Sequence, residues 1–88
     1  MIARTVAITN RRGLHARASA KFVTLASTLP ATVEVEKDGA RVVGTSIMGL
    51  MMLGAAIGDS VTISASGDGA EAAVAALAEL VENKFGEE

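Results

Sequence analysis

Residues 60–66 read Ser-Val-Thr-Ile-Ser-Ala-Ser, with Val61, Ile63 and Ala65 to one side and Ser60, Thr62, Ser64 and Ser66 to the other. Strict alternation over seven residues predicts a strand with one dry face and one wet face. The same two-sidedness recurs in residues 2–8, where Ile2, Val6 and Ile8 share a face that Arg4 interrupts. It recurs again in residues 32–37, where Val33 and Val35 alternate with Glu34 and Glu36. Strands of this kind do not suit a parallel sheet covered on both faces. They suit an antiparallel sheet that keeps all its helices on one side.

Asp38-Gly39 predicts a two-residue type I′ hairpin. That turn sets Glu36 opposite Arg41 and Val35 opposite Val42, so charge meets charge and apolar meets apolar. Elsewhere the apolar period lengthens. Phe22, Leu25, Ala26 and Leu29 predict a helix over 16–27, stopped by Pro30. Ser46 is placed to cap a short helix, 47–53, closed by Gly54. Asp68 and Glu71 resemble a capping box ahead of an alanine-rich helix from Ala70 to about Phe85, with Val74, Leu77, Val81 and Phe85 on one stripe. The order is β-α-β-β-α-β-α. It predicts an α+β open-faced β-sandwich: a four-stranded antiparallel sheet with three helices on one face, in a single domain, 1–88.

The 88 residues include no cysteine and one histidine, which excludes a disulfide framework and argues against a structural zinc site. No cofactor or metal is expected. No apolar run approaches the ~20 residues of a membrane span and no signal-peptide pattern opens the chain, so the expectation is a cytoplasmic protein without a membrane partner. With two Phe and neither Trp nor Tyr, the chain lacks the stacking platform of a small RNA-binding sheet, and no nucleic-acid partner is expected. Net charge is −2 but unevenly spread. Residues 1–21 carry Arg4, Arg11, Arg12, Arg17 and Lys21 and no acid, whereas the last 30 residues are acidic. A basic surround for the lone His15 suits an anionic ligand or an acidic partner.

His15 follows Gly13 and precedes the first predicted helix. The first helical N–H groups lack internal partners and the helix dipole is positive there, so an anion on the imidazole would meet free donors. Arg17 adds a guanidinium within reach. Neutral imidazole is a competent nucleophile near pH 7. Phosphoryl transfer needs mainly positioning and charge stabilisation. The chain has no G-x-x-x-x-G-K-[ST] loop, so this reading gives a protein that holds a phosphoryl group rather than one that generates it. The alternative is a histidine that merely caps or packs at a helix end.

Gly13-Leu14-His15-Ala16-Arg17, followed by Ala20-Lys21-Phe22-Val23, resembles the active-site signature of the HPr/NPr family, the histidine-containing phosphocarriers of the bacterial phosphoenolpyruvate-dependent phosphotransferase system. Ser46 to Gly54 resembles that family's regulatory serine and second helix, and Thr62 to Gly67 its last strand. The resemblance implies a carrier with a phosphohistidine intermediate rather than a free-standing enzyme. His15 would take the phosphoryl group on Nδ1 from Enzyme I and pass it to an Enzyme IIA-type acceptor, with Arg17 steadying the phosphate. Ser46 would be the target of an HPr kinase/phosphorylase. Ile47, Met48 and Met51, with Lys21, would form the partner-docking surface of a monomer. The family usually carries proline where Ala18 stands. The resemblance leaves open a carrier of the nitrogen-related branch and a purely regulatory binding protein of the same fold.

The short helix supports the docking reading from its own arithmetic. Leu50 and Leu53 can both face inward, and so few turns cannot also bury Ile47, Met48, Met51 and Met52. Exposed methionine is adaptable enough to meet several partners on one surface.

Overall fold

A computed structural model describes residues 1–87. The elements are β1 (Ile2–Ala7), α1 (Ala16–Ser27), β2 (Thr32–Lys37), β3 (Ala40–Val43), α2 (Ile47–Met52), β4 (Ser60–Ser66) and α3 (Ala70–Glu82), followed by a 3-10 turn, Lys84–Gly86. The four strands form one antiparallel sheet in the order β1-β4-β2-β3. Asp38 and Gly39 both take positive φ, 51° and 85°, as the type I′ turn requires. The hairpin register is the expected one, Glu36 opposite Arg41 and Val35 opposite Val42.

The inward side chains of β4 are buried with those of β2, and α3 packs directly on β1 and β4. Val33, Val35, Val61, Ile63 and Ala65 form the sheet side of the core; Phe22, Ala26, Val74, Leu77 and Val81 form the helix side. Helix α1 packs against both α2 and α3. Layering one face and wetting the other is the solution that the alternating strands demand. No helix among the described residues is long and apolar enough to cross a membrane.

Helix α3 starts at Ala70 as expected, but its cap and its end differ from the sequence reading. The N-cap of α3 is Gly69, at φ 72°, with no side-chain cap bond. Asp68 lies one position too early to act as the cap, because the left-handed glycine turns the chain into the helix after it. At the other end α3 stops at Glu82, and Phe85 is not on its stripe. Lys84, Phe85 and Gly86 all have positive φ, 57°, 55° and 77°. This left-handed run folds the tail back so that Phe85 enters the core at 1% exposure. Burial of a phenyl ring, about 1.5–3 kcal/mol, can support the backbone cost of leaving the helix.

Candidate functional site

The loop between β1 and α1 is built around Gly13. Its φ is +64°, and a Cβ there would lie 2.3 Å from the Ala55 carbonyl oxygen. The close approach is used: Leu14 N–H donates to that same oxygen at 3.0 Å. Leu14 is buried, and Ser19 Oγ donates to the Leu14 carbonyl at 3.2 Å. These contacts set His15 at the N-cap of α1, with extended backbone at φ −74° and ψ −179°.

The imidazole caps the helix itself. Nδ1 accepts from the Arg17 backbone N–H at 3.3 Å, a long bond that leaves the nitrogen lone pair weakly engaged. On the other side of the ring Nε2 is 2.6 Å from Glu87 Oε2. A ring nitrogen that accepts at Nδ1 carries its proton at Nε2, so Nε2–H donates to Glu87. The His15 side chain is 17% exposed, enough for a reacting group to reach it.

Glu87 is itself held. Asn10, fully buried, uses Nδ2 to donate to the Gly13 carbonyl at 2.8 Å and to Glu87 Oε1 at 3.1 Å. Asn10 Oδ1 has no partner among the described residues. Lys21 Nζ donates to the Phe85 carbonyl at 2.7 Å and so ties the tail to α1. Partial burial pushes the Glu87 carboxyl up, but hydrogen bonds from Asn10 and His15, with the nearby Lys21 ammonium, more than offset it and hold it below its usual range.

Arg11, Arg12, Arg17 and Glu87 line a concavity of about 250 Å³ at this position. All three arginines are exposed. The sequence reading of a basic surround without an acid is therefore corrected in one respect: the tail brings the Glu87 carboxylate into it. Arg4 is not part of the cluster as a free cation, since its Nη2 lies 3.6 Å from Glu82 Oε2. Ala18, where a proline stands in the resembling family, is fully buried in the first turn of α1.

Ser46 sits at the N-cap of α2, its Oγ accepting from Gly49 N–H at 2.9 Å. Leu50 and Leu53 are buried; Ile47, Met48, Met51 and Met52 are exposed, the last at 79%. Beside α1, an apolar groove of about 520 Å³ is lined by Ala20, Thr24, Leu25 and Leu80 together with Arg17 and Lys21. Arg17 lines both the concavity and the adjoining groove, His15 meets the concavity only through its contact with Glu87, and Lys21 lies on the groove, where its ammonium is engaged by the tail. Ser46, Ile47, Met48 and Met51 lie on α2 and its cap, which neighbours α1. Asn10 and Glu87 are the site residues that sequence reasoning missed. Glu87 lies 72 positions from His15 and carries no local signal; Asn10 reads as an ordinary loop residue.

This arrangement can hold a phosphoryl group: a nucleophilic ring nitrogen at a helix start, one guanidinium on the same helix and two more on the adjacent loop. Comparison with known proteins agrees. Residues 2–83 match the family described as PTS HPr component phosphorylation site. The phosphocarrier protein HPr of Cupriavidus necator is 45% identical over 87 residues, covering 99% of this chain and 98% of that protein. The phosphocarrier protein NPr of Shewanella violacea is 38% identical over 84 residues, covering 96% and 92% respectively. The crystal structure of HPr-C-His from Thermoanaerobacter tengcongensis superposes with a TM-score of 0.95 at 49% identity, covering 100% of this chain and 99% of that one. By sequence along nearly its whole length and by fold, this chain belongs to the HPr family of phosphocarriers of the phosphotransferase system.

Proposed function

We propose that this chain accepts a phosphoryl group from phospho-Enzyme I on His15 Nδ1 and passes it to an Enzyme IIA-type acceptor domain in the cytoplasm. The observation that carries this reading is the state of the imidazole: Nε2 is committed to Glu87, itself a lining residue of the arginine-rich concavity, while Nδ1 is only weakly engaged at 3.3 Å. The Nδ1 lone pair attacks phosphorus, and the bond to the donor's leaving atom breaks with its electron pair. The transition state is loose, so the protein's contribution is orientation and charge. Arg17 supplies a two-pronged donor to the phosphoryl oxygens.

Docking uses the exposed Ile47, Met48 and Met51 on α2, together with Lys21 on the neighbouring α1. A carrier that meets donor and acceptor in turn through one surface works as a monomer. Ser46, as the substrate of an HPr kinase/phosphorylase, would place a charge at the edge of that surface. A second reading, a carrier of the nitrogen-related branch, draws on the likeness to NPr and changes the acceptor, not the chemistry at His15.

Intact-mass analysis after incubation with phosphoenolpyruvate and Enzyme I tests this. One added phosphoryl group, labile in acid and stable in base and lost in His15→Ala, is the expected result. An unmodified parent chain would overturn the reading. Transfer onward to purified sugar-branch or nitrogen-branch acceptor domains then separates the two readings.

A further inference from the structure

We infer that Met48, Met51 and Met52 form a redox-sensitive modification site: hydroperoxides convert their thioethers to sulfoxides and so weaken docking of the phosphoryl donor, an inference that rests on α2 being the docking face.

The chain gathers its oxidisable side chains in one place. Of its four methionines, three fall within residues 48–52, and there is no cysteine, tryptophan or tyrosine to react in their stead. None of the core residues is methionine among the described residues; leucine, isoleucine, valine, alanine and phenylalanine fill the interior. Leu50 and Leu53 hold α2 to the core, whereas Met48, Met51 and Met52 are 69%, 40% and 79% exposed. Positions 48, 51 and 52 are spaced i, i+3, i+4, so the three thioethers share one side of the helix. A peroxide reaches them without any opening of the fold. Met1, also exposed, is an internal control. It precedes β1, at the opposite edge of the sheet from β3, the strand that α2 packs against.

The step is a two-electron oxygen transfer. A sulfur lone pair attacks one peroxide oxygen, the O–O bond breaks with its electron pair, and a proton shift releases water or an alcohol as the S–O bond forms. Sulfur is oxidised and the peroxide is reduced. The reverse step draws on two thiols at a reductase, which become a disulfide while the oxygen leaves as water. A sulfoxide replaces an adaptable apolar chain with a polar one. On the free protein its oxygen is hydrated. Under a docked partner it loses that water and has no donor in exchange. Buried Leu50 and Leu53 still anchor the helix, so the cost falls on docking and not on folding. His15 caps a different helix, so the effect belongs to KM and not to kcat.

The test treats the chain with hydrogen peroxide, maps the added oxygen by peptide mass spectrometry, and then measures initial rates of phosphorylation by Enzyme I. Met48 and Met52 should oxidise about as fast as Met1, with Met51 slower. KM for the treated chain should rise about five- to tenfold, the loss expected for burying one unpaired acceptor, with kcat and melting temperature held. Reductases for both sulfoxide epimers, supplied with a thiol, should restore the parent value. The Met48→Leu, Met51→Leu, Met52→Leu triple variant is compared with its own untreated form. It should keep its KM after peroxide although Met1 still gains oxygen. Resistance of the three thioethers to peroxide, a KM unmoved by their oxidation, or a loss that persists in the triple variant would overturn the site. A large fall in melting temperature on oxidation would overturn it too, since the damage would then be to the fold. Untreated Ile47→Asp separates the two ideas. An unchanged KM in that variant removes α2 from docking and the switch with it. A raised KM there, beside an unmoved KM after oxidation of the parent, sinks the switch alone.

Discussion

Lys21 Nζ donates to the Phe85 carbonyl at 2.7 Å, a bond that joins the first helix to a tail 64 residues away. A cation assigned to partner docking by its place in the sequence is therefore also a fastener within the fold. Removing it should loosen the tail that delivers Glu87. Lys21→Met keeps much of the aliphatic stem and deletes the ammonium. The expected loss is about 1 kcal/mol, in the range of a hydrogen bond that is partly open to water. Thermal melting checks the size, and hydrogen exchange at the Gly86 and Glu87 amides checks the place. An unchanged tail would assign Lys21 wholly to docking.

Gly13→Ala should be more damaging than its size suggests. The residue sits at φ +64°, and the added methyl would lie 2.3 Å from the Ala55 oxygen that Leu14 uses. The left-handed backbone alone costs about 1–3 kcal/mol for a non-glycine residue. The collision must then be relieved by moving the loop that positions His15. Stability and the rate of His15 phosphorylation should fall together, as read by denaturant melts and initial rates.

The Glu87 contact predicts a pH dependence of stability. Its carboxyl is held below the ordinary value of 4.5 in the folded chain, so in the window between the two values the unfolded chain binds more protons. The contribution is fully present above the ordinary value and is lost as pH falls through the lowered one. Subtracting the unfolding free energy of Glu87→Gln from that of the parent, across pH 7 to 2, should give a difference that falls as pH falls through that window. A difference independent of pH would contradict the bonding seen here.

Phosphorylation of Ser46 should not unfold the chain. Its Oγ accepts from Gly49 N–H, and a phosphate at the same helix start keeps acceptors for the free N–H groups while adding about 1.5 to 2 negative charges. Melting temperature should hold or rise slightly. Phosphorylation of His15 by Enzyme I should slow, because charge now borders the Ile47, Met48 and Met51 patch, and added salt should partly relieve the slowing. Equal initial rates for the phosphorylated and parent chains would remove Ser46 from regulation.

The fold was legible in the sequence where physics is local. Period-two strands, the Asp38-Gly39 turn and the Phe22 stripe each carry their instruction within a few residues, and β2, α1 and the hairpin register follow them. The His15–Arg17 half of the site was legible for the same reason. The tail was not. Val81 to Phe85 continues a helical spacing, and only packing makes Phe85 leave it, since the ring gains more from the core than the helix gains from one more turn. The Asn10–Glu87–His15 connection depends on that departure, so no window of sequence contains it. The α3 cap failed differently, though the start at Ala70 held: Asp68 has the right chemistry, but Gly69 takes the cap by its left-handed φ.

The central claim, that His15 Nδ1 is the phosphoryl acceptor and Arg17 assists it, meets its most direct test in nitrogen-15 and phosphorus-31 NMR of the chain after incubation with phosphoenolpyruvate and Enzyme I. The prediction is a single phosphorus coupled to His15 Nδ1 in the parent, with Arg17→Ala folding normally but accepting the group more slowly and Arg17→Lys recovering part of the rate. Phosphorus on Nε2, or on another residue with His15 left unmodified, would contradict the account.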